Sequence, residues 1–495
     1  MLPREDTNQL WRSEFTSSTQ TRSYSVNHNN QRRRLLLFLP TYLFQVPLQS
    51  MGCCLRAAPS SSFLLNHPRP NPIINSILLC CVNGPPDSTS SSSSSTPPSY
   101  SQKWYNRQKS PLITVPDIDR QWVTADPNNN SNTTPLLSEE RFTVVSYNIL
   151  ADRNAFKHWD LYRNVPSIFL RWHHRKRVIC EELIGLNPDI ICLQEVDKYF
   201  DLLTILEKAG YLGSYKRRTG DYVDGCAMFW KADKFQLLEG ESIEFRQYGL
   251  RDNVAQLSVF EMRKAKSRRI LIGNVHVLYN PRRGDVKLGQ IRFLLSKAYI
   301  LSKKWENAPV VLAGDYNSTP QSAIYSFFSS SELNILLHDR GNLSGQKDCR
   351  PTQSLGVRQE KGSLFVLMDR FLHSSWTSEE IKIATGDTGS RVVRHPLKLY
   401  SSYAMVKGST GTRGPNGEPL ATSYHSKFLG TVDYLWFSDG IVPTKVMDTL
   451  PINVLKKIGG LPCQKIGSDH LPLVSEFAFT PSIEDENRTS NILTS

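Results

Sequence analysis

The chain has 495 residues, 39% of them hydrophobic, and a formal net charge of +13, enough for two or three average domains or for one large α/β enzyme domain with an arm. No apolar run approaches the roughly 18 residues of a membrane span; the longest, Leu35 to Leu48, is broken by Pro40 and Pro47. The nine scattered cysteines show neither C-x-x-C nor His/Cys zinc spacing, which argues against a disulfide scaffold or zinc module and for reduced thiols in an intracellular protein.

In chain order, residues 1–115 hold 11 Lys/Arg against 4 Asp/Glu, net +7, and include the tract from Ser88 to Ser95 followed by Thr96-Pro97-Pro98. Such composition buries too little apolar surface to offset ordering entropy, so 1–115 reads as a disordered arm, or as a targeting arm resembling an organelle transit peptide. The remainder carries 48 basic against 42 acidic residues, net +6. That balance suits a polyanionic partner and equally a solvated positive surface. Residues 116–140, with Asp126-Pro127-Asn128-Asn129-Asn130, read as linker. The main folded domain is expected over 141–480, with a disordered tail at 481–495.

From residue 141 the texture changes. Phe142 to Tyr147 is β-branched and aromatic, a strand. Phe169 to Leu186 has helical apolar spacing closed by Asn187-Pro188. Asp189 to Gln194 is a buried-type strand ending at Glu195, and Phe200 to Ala209 is a helix with Gly210 after it. Strands follow near 226–230, 235–245, 254–261 and 269–279. Asp285 is expected to cap a helix running to about Trp305, after which come a strand at 309–313 and strands at 432–437 and 472–479. The span 338–425 reads as a long polar loop, a length uncommon unless functional or disordered. Mixed strands and helices in this order suggest packed sheets flanked by helices.

Polar groups recur at the ends of these strands: Asn148, Glu195, Asn274 and His276, Asp315 and Asn317, Asp433, and Ser468-Asp469-His470. A buried carboxylate is costly unless paired or metal-bound, so groups from six distant points could converge on one sheet rim. Each alone has a local alternative, such as a turn residue, a loop brace or a satisfied core histidine. In "GDYNSTPQSAIY" (314–325), Thr319 and Pro320 read as N-cap and N1 of a helix whose free N–H groups favour anions. Capping leaves Asp315-x-Asn317 unexplained.

The ordered set Asn148, Leu193-Gln194-Glu195, Asn274-x-His276, Gly314-Asp315-x-Asn317 and Ser468-Asp469-His470 resembles the endonuclease/exonuclease/phosphatase superfamily. The stretches "RWHHRKR" (171–177), "NVHVLYNPRRGDVKLGQ" (274–290), "HPLKLYSSYA" (395–404) and "SKFLGTVDYLWFS" (426–438) are similar to the carbon catabolite repressor 4-type deadenylases, a group that includes nocturnin. The resemblance implies a four-layer α/β sandwich of the DNase I-like kind and Mg²⁺-dependent phosphoester hydrolysis with one or two ions, Mn²⁺ being able to substitute. It makes Glu195 the principal metal ligand, with Asn148 close by and Asp469 on the metal side. Asp315 would orient or activate water, Asn317 and His470 would stabilise transition-state charge, and His276 would contact the scissile phosphate. Pro281 and Phe428 match positions that sandwich adenine, with Asn274 and Asp433 also on the substrate side. Arg282, Arg283 and Lys287 either meet phosphates or line a solvated face.

The activity so implied is 3′→5′ shortening of poly(A) tails on RNA with release of 5′-AMP. A nocturnin-like 2′-phosphatase acting on NADP(H) is the alternative, and an inactive RNA- or protein-binding fold the third reading. Leucine-rich repeats, which dock family members into the large deadenylase complex, are not evident in 1–140. The family reading implies cytoplasm and nucleus; the arm leaves plastid or mitochondrion open.

Overall fold

Apolar residues alternate along each central strand, and the two sides of the alternation pack into different layers. In the computed structural model, residues 118–125, 140–265, 267–351 and 376–481 are described. The expected arm 1–115, residues 482–495 of the expected tail and residues 352–375 of the polar span lie outside them. Val144, Ile190, Cys192, Val311 and Ala313 point into one apolar layer between two sheets. Their neighbours Val145, Tyr147, Ile191 and Leu193 point the other way, onto the helices Trp172–Leu186 and Tyr199–Lys208. Val310 and Leu312 likewise meet the helices Gly284–Lys304, Ala323–Ser330 and Ser378–Thr385. The period of two in a strand thus generates four layers, helix–sheet–sheet–helix, as the sequence leads one to expect.

One sheet has seven strands in the spatial order Trp122–Thr124, Ile441–Met447, Leu473–Phe479, Arg141–Asn148, Ile190–Gln194, Gly225–Lys231, Tyr211–Arg217. The other has six: Leu399–Ser401, Asp433–Ser438, Val310–Asp315, Arg269–His276, Val254–Met262, Phe235–Glu244. Each contains one parallel pair, Arg141–Asn148 with Ile190–Gln194 and Arg269–His276 with Val310–Asp315. A helix, Trp172–Leu186 or Gly284–Lys304, makes the crossover in each case. Two parallel pairs therefore bring four strand ends to the same edge of the sandwich. Gly314 permits the close approach there: a Cβ on it would stand 2.2 Å from the Val275 carbonyl oxygen.

Several sequence expectations need correction. The linker 116–140 contains Trp122–Thr124, an edge strand paired with Ile441–Met447. Strand Tyr211–Arg217, a polar strand at the sheet edge, and strand Ile441–Met447, whose apolar run is interrupted by Pro443, Thr444 and Lys445, also escape the apolar-run criterion. The span 338–425 is no loop: it holds the helix Ser378–Thr385 and strands Val392–Arg394, Leu399–Ser401 and Ser423–His425. Asp285 does not cap its helix; its carboxylate is gripped by Arg283 in two bonds of 2.9 and 2.7 Å, a fork-on-fork pair that removes it from the backbone. Nor do Thr319 and Pro320 begin a helix. The Thr319 amide donates to Ser344 across the fold at 2.8 Å, and the helix starts at Ala323 with Ser322 accepting from the Tyr325 amide. The described cysteines are all free thiols.

Asn274 is fully buried in the gap between the sheets. Its Nδ2 donates to the carbonyls of Leu193 and Ala227 at 3.1 and 2.9 Å, and its Oδ1 accepts from Gln194 Nε2 at 2.8 Å. All these partners belong to the opposite sheet, so one amide staples the two. Asn274→Ala strands buried backbone carbonyls and a glutamine N–H; we expect it to lower unfolding free energy by about 1–3 kcal/mol, read by urea denaturation of the purified chain.

Candidate active site

The inner-face alternation that builds the core continues to the strand ends, where the residue type changes from apolar to polar. His276 stands opposite Asp315 in the parallel pair, and Asp433 stands opposite Asp315 on the other side. These three therefore form a row across one sheet, facing the ends of the Asn148 and Gln194 strands, themselves a register pair. The row opens into a cleft of about 740 Å³ lined by Glu195, His276, Asp315, Asn317, Asp469 and His470 among others. Residues over 270 positions apart in sequence meet in one cavity.

Asn148 connects the two sheets' acids. Its Nδ2 donates to Glu195 Oε1 at 3.3 Å and to Asp315 Oδ2 at 3.0 Å, while Oδ1 accepts from the Leu150 amide at 3.1 Å. Glu195 Oε2 accepts from the Ala151 amide and from Asn154 Nδ2, at 3.1 and 2.8 Å. Glu195 and Asn317 both sit at positive φ, 55° and 48°, a strained region for a glutamate and a mark of positions over-determined by their surroundings. Arg175, from "RWHHRKR", is buried and donates to the carbonyls of Ile149 and Leu150 at 2.9 and 2.7 Å. It holds the turn that follows Asn148. Ser468 Oγ donates to the Asn148 carbonyl at 2.6 Å and accepts from the His470 amide at 3.2 Å, tying the second loop to the first. Asp469 Oδ2 accepts from Tyr162 OH at 2.9 Å.

His470 Nδ1 lies 2.9 Å from Asp433 Oδ2, and its Nε2 lies 4.0 Å from Asp315. Burial opposes its charge, but Asp433, Asp469 and Asp315 outweigh burial and push the imidazole up to about 10. It is an imidazolium at neutral pH. His276 is the opposite case: burial, helped by Arg218, pulls it down to about 3, so a neutral ring faces Asp315 at 3.5 Å. Asp315 is itself pushed up, first by burial and then by Asp433.

Two arrangements here could receive a cation. Ligating atoms of Asp315, Asp433 and His470 lie within 4.8 Å of one another, but the imidazolium already supplies the positive charge between those acids. Glu195 and Asp469 offer carboxylate oxygens on the open cleft, whereas Asn148, expected beside the metal, lies outside the lining with its Oδ1 taken by the Leu150 amide and its Nδ2 joining the acids of the two sheets. That donor chemistry fits a hard divalent ion that keeps water and takes phosphate.

The other expected site residues divide. Phe428 lines the cleft, with the His425 ring 6.1 Å away. Pro281 is half-buried on the loop whose Tyr279, Asn280 and Arg283 line it, whereas Arg282 is exposed and outside the lining. Asn274 does not reach the cleft because its amide is committed between the sheets. Lys287 does not either: it is fully buried, with Nζ donating to the Asn317 carbonyl at 2.6 Å and to Gln346 Oε1. Gln346 in turn donates to Asn317 Oδ1 at 3.0 Å, leaving Asn317 Nδ2 directed to Val277 O at 3.0 Å. Asp433 stands behind His470 rather than at the surface of the cleft, held by Thr422 Oγ1 at 2.6 Å. Sequence reading missed Asn154, Tyr162, Arg175, Gln346 and His425. Arg175 had a signal in its basic stretch; Gln346, in a polar span, had none.

A family model described as Endonuclease/Exonuclease/phosphatase family matches residues 145–470. The chain belongs to that family. Among relatives of this endonuclease/exonuclease/phosphatase protein, Carbon catabolite repressor protein 4 homolog 3 of Arabidopsis thaliana is 61% identical over 389 residues, 77% of this chain and 85% of that one. The CCR4-Not complex 3′-5′-exoribonuclease subunit Ccr4 of Mycosarcoma maydis is 27% identical, over 75% of this chain and 56% of its own. The crystal structure of ANGEL2, a 2′,3′-cyclic phosphatase, in complex with adenosine-2′,3′-vanadate is similar with a TM-score of 0.58 and 30% identity, covering 73% of this chain and 99% of that one. The family is one of hydrolytic nucleases and phosphatases, and its enzymes generally depend on divalent metal.

Because Asp433 is the nearest acid to His470, Asp433→Asn should return the imidazole toward its ordinary value near 6.5. In the native chain the raised value means that the ion pair's contribution to stability is complete below about 6.5 and is lost as pH rises through about 10. NMR titration of the histidine ring protons in the metal-free protein checks this; an unmoved His470 resonance refutes the pairing.

Proposed function

We propose that this protein is a Mg²⁺-dependent 3′→5′ exoribonuclease that shortens poly(A) tails and releases 5′-AMP. The observation that carries the reading is one cleft holding both an acid-rich hydrolytic floor and an aromatic wall at Phe428 and His425. A volume of about 740 Å³ lies in the usual range for a small-molecule site, and a flat ring stacks on any base by about 1–3 kcal/mol. The likeness to a 3′-5′-exoribonuclease subunit supports the same substrate class.

In this reading Glu195 and Asp469 would hold the ion, which would supply Lewis-acid neutralisation of the phosphate charge, with Asn148 bridging Glu195 and Asp315 behind it. Asp315, whose affinity for a proton is raised by burial, accepts one from the water that attacks phosphorus, while the P–O3′ bond breaks and the 3′ oxygen of the shortened strand leaves as a hydroxyl with a proton from solvent. The His470 imidazolium, kept charged by Asp433, donates to a phosphoryl oxygen as negative charge develops there. A pre-set donor at such a position is worth about 3–4 kcal/mol. Neutral His276 orients Asp315 and faces the same phosphate, and the loop through Pro281 closes on the base held by Phe428. Asn317, fixed by Gln346 and Lys287, places its backbone at the cleft floor. Cytoplasm and nucleus are the compartments in which such a substrate is met.

The ANGEL2 likeness favours one second reading, hydrolysis of a 2′,3′-cyclic phosphate end beside adenosine. It uses the same floor and base wall. Full-length protein with Mg²⁺ and a 5′-labelled, A-tailed RNA should give a ladder of shortened tails and 5′-AMP, and Glu195→Ala should reduce the rate at least a hundredfold. Parallel reactions with 2′,3′-cyclic-phosphate-ended RNA and with NADPH separate the rival substrates. Opening of the cyclic end or phosphate release from NADPH without tail shortening overturns the proposal.

A further inference from the structure

The segment after Asn148 forms a lip on the cleft with two different sides. Asn154, Lys157, His158, Leu161 and Tyr162 line the cavity. Interleaved with and flanking them in sequence, Arg153, Phe156, Trp159 and Arg163 face solvent. Phe156 is 86% exposed and Trp159 63%, unusual for large aromatic rings beside a polar cleft. The Arg163 guanidinium lies over the Trp159 ring, 5.5 Å from its centre, so the pair presents one flat cationic surface.

Charge on this lip is unbalanced outward. Its two acids are committed elsewhere, Asp152 to the buried Arg175 at 3.7 Å and Asp160 to Lys427 at 2.6 Å. The exposed Arg153, Lys157 and Arg163 therefore project positive charge beside two open rings. Cations interleaved with exposed aromatics are the pattern that holds single-stranded nucleic acid without sequence preference. A polyanion is complementary to that charge.

We propose that the outer face of the lip, Arg153, Phe156, Trp159 and Arg163, is a second RNA-binding subsite that stacks and tracks the strand as it leaves the cleft. Continuity argues for this occupant, because Lys157 and His158 carry the lip's basic character into the cavity itself. The subsite rests on the RNA reading of the cleft and deepens it: it makes the enzyme favour a polymer over a short end. The lip is built from two short helical segments, Asp152–Lys157 and Trp159–Tyr162, broken at His158, so its exposed rings sit on consecutive turns.

The test is binding, so that it does not depend on turnover. Full-length protein carrying Glu195→Gln is titrated into fluorescent A20 and A3 ribo-oligonucleotides and followed by anisotropy. Adding Phe156→Ser and Trp159→Ser should weaken A20 binding about tenfold to a hundredfold and leave A3 unchanged, while Phe156→Tyr with Trp159→Phe should restore it. Arg153→Gln with Arg163→Gln should reduce the slope of affinity against salt for A20. Equal weakening of A20 and A3, or unaltered A20 binding as expected of a protein-docking face, overturns the subsite. Should the A-tailed RNA not be shortened while A20 binding still depends on the two rings, the subsite stands and the deadenylase reading falls. Should tails be shortened while A20 binding is indifferent to the rings, the deadenylase reading stands and the subsite falls.

Discussion

One amide nitrogen, Asn148 Nδ2, bonds carboxylates that arrive from different sheets, Glu195 on one side and Asp315 on the other. Like charges brought so near would repel in a buried setting, and the amide is the neutral donor that lets them share a cavity. Everything that surrounds it serves to hold that turn in place. Arg175 clamps the carbonyls just after Asn148, Ser468 clamps its own carbonyl, and Asn154 with the Ala151 amide fixes the far oxygen of Glu195. One of these two acids, Glu195, also lines the open cleft where the donor set suits a divalent ion.

The site exists because the inner face of the sandwich changes character at one end. Along the Val310–Asp315 strand, Val311 and Ala313 fill the apolar layer, and the next inward position is Asp315. Ile270, Ile272, Asn274 and His276 make the same transition on the adjacent strand. Desolvation then sets the protonation states in opposite senses. It drives His276 to neutrality and raises Asp315, whereas three surrounding acids overcome it at His470. Two histidines on one cavity thus differ in charge for reasons of neighbourhood alone.

The polar span 338–425 supplies parts that the central strands cannot. Gln346 orients Asn317, Thr422 holds Asp433, and the hairpin Ser423–His425 with Phe428–Gly430 builds the aromatic wall. Buried Lys287 anchors the same corner by donating to the Asn317 carbonyl. A lysine so placed is a structural donor beneath the floor, not a phosphate ligand above it.

Strand ends and their polar residues were legible because alternation and β-branched runs are local signals: Asn148, Glu195, His276, Asp315 and Asp469-His470 all lie at the ends of strands visible in the sequence, and their order carried the family. The sequence by itself therefore determined the layers and the family, and it marked the polar strand ends as candidates for one cavity. Which of those residues face the cavity was decided only by tertiary structure. Asn274 and His276 lie two positions apart on one strand face, yet depth in the sandwich makes the first an inter-sheet staple and the second a cleft residue. Lys287 and Arg283 share a helix start, but only packing against Gln346 and Asn317 buries the lysine. Local pattern reports the side a residue points to; how far it stands from solvent depends on elements brought together from across the chain.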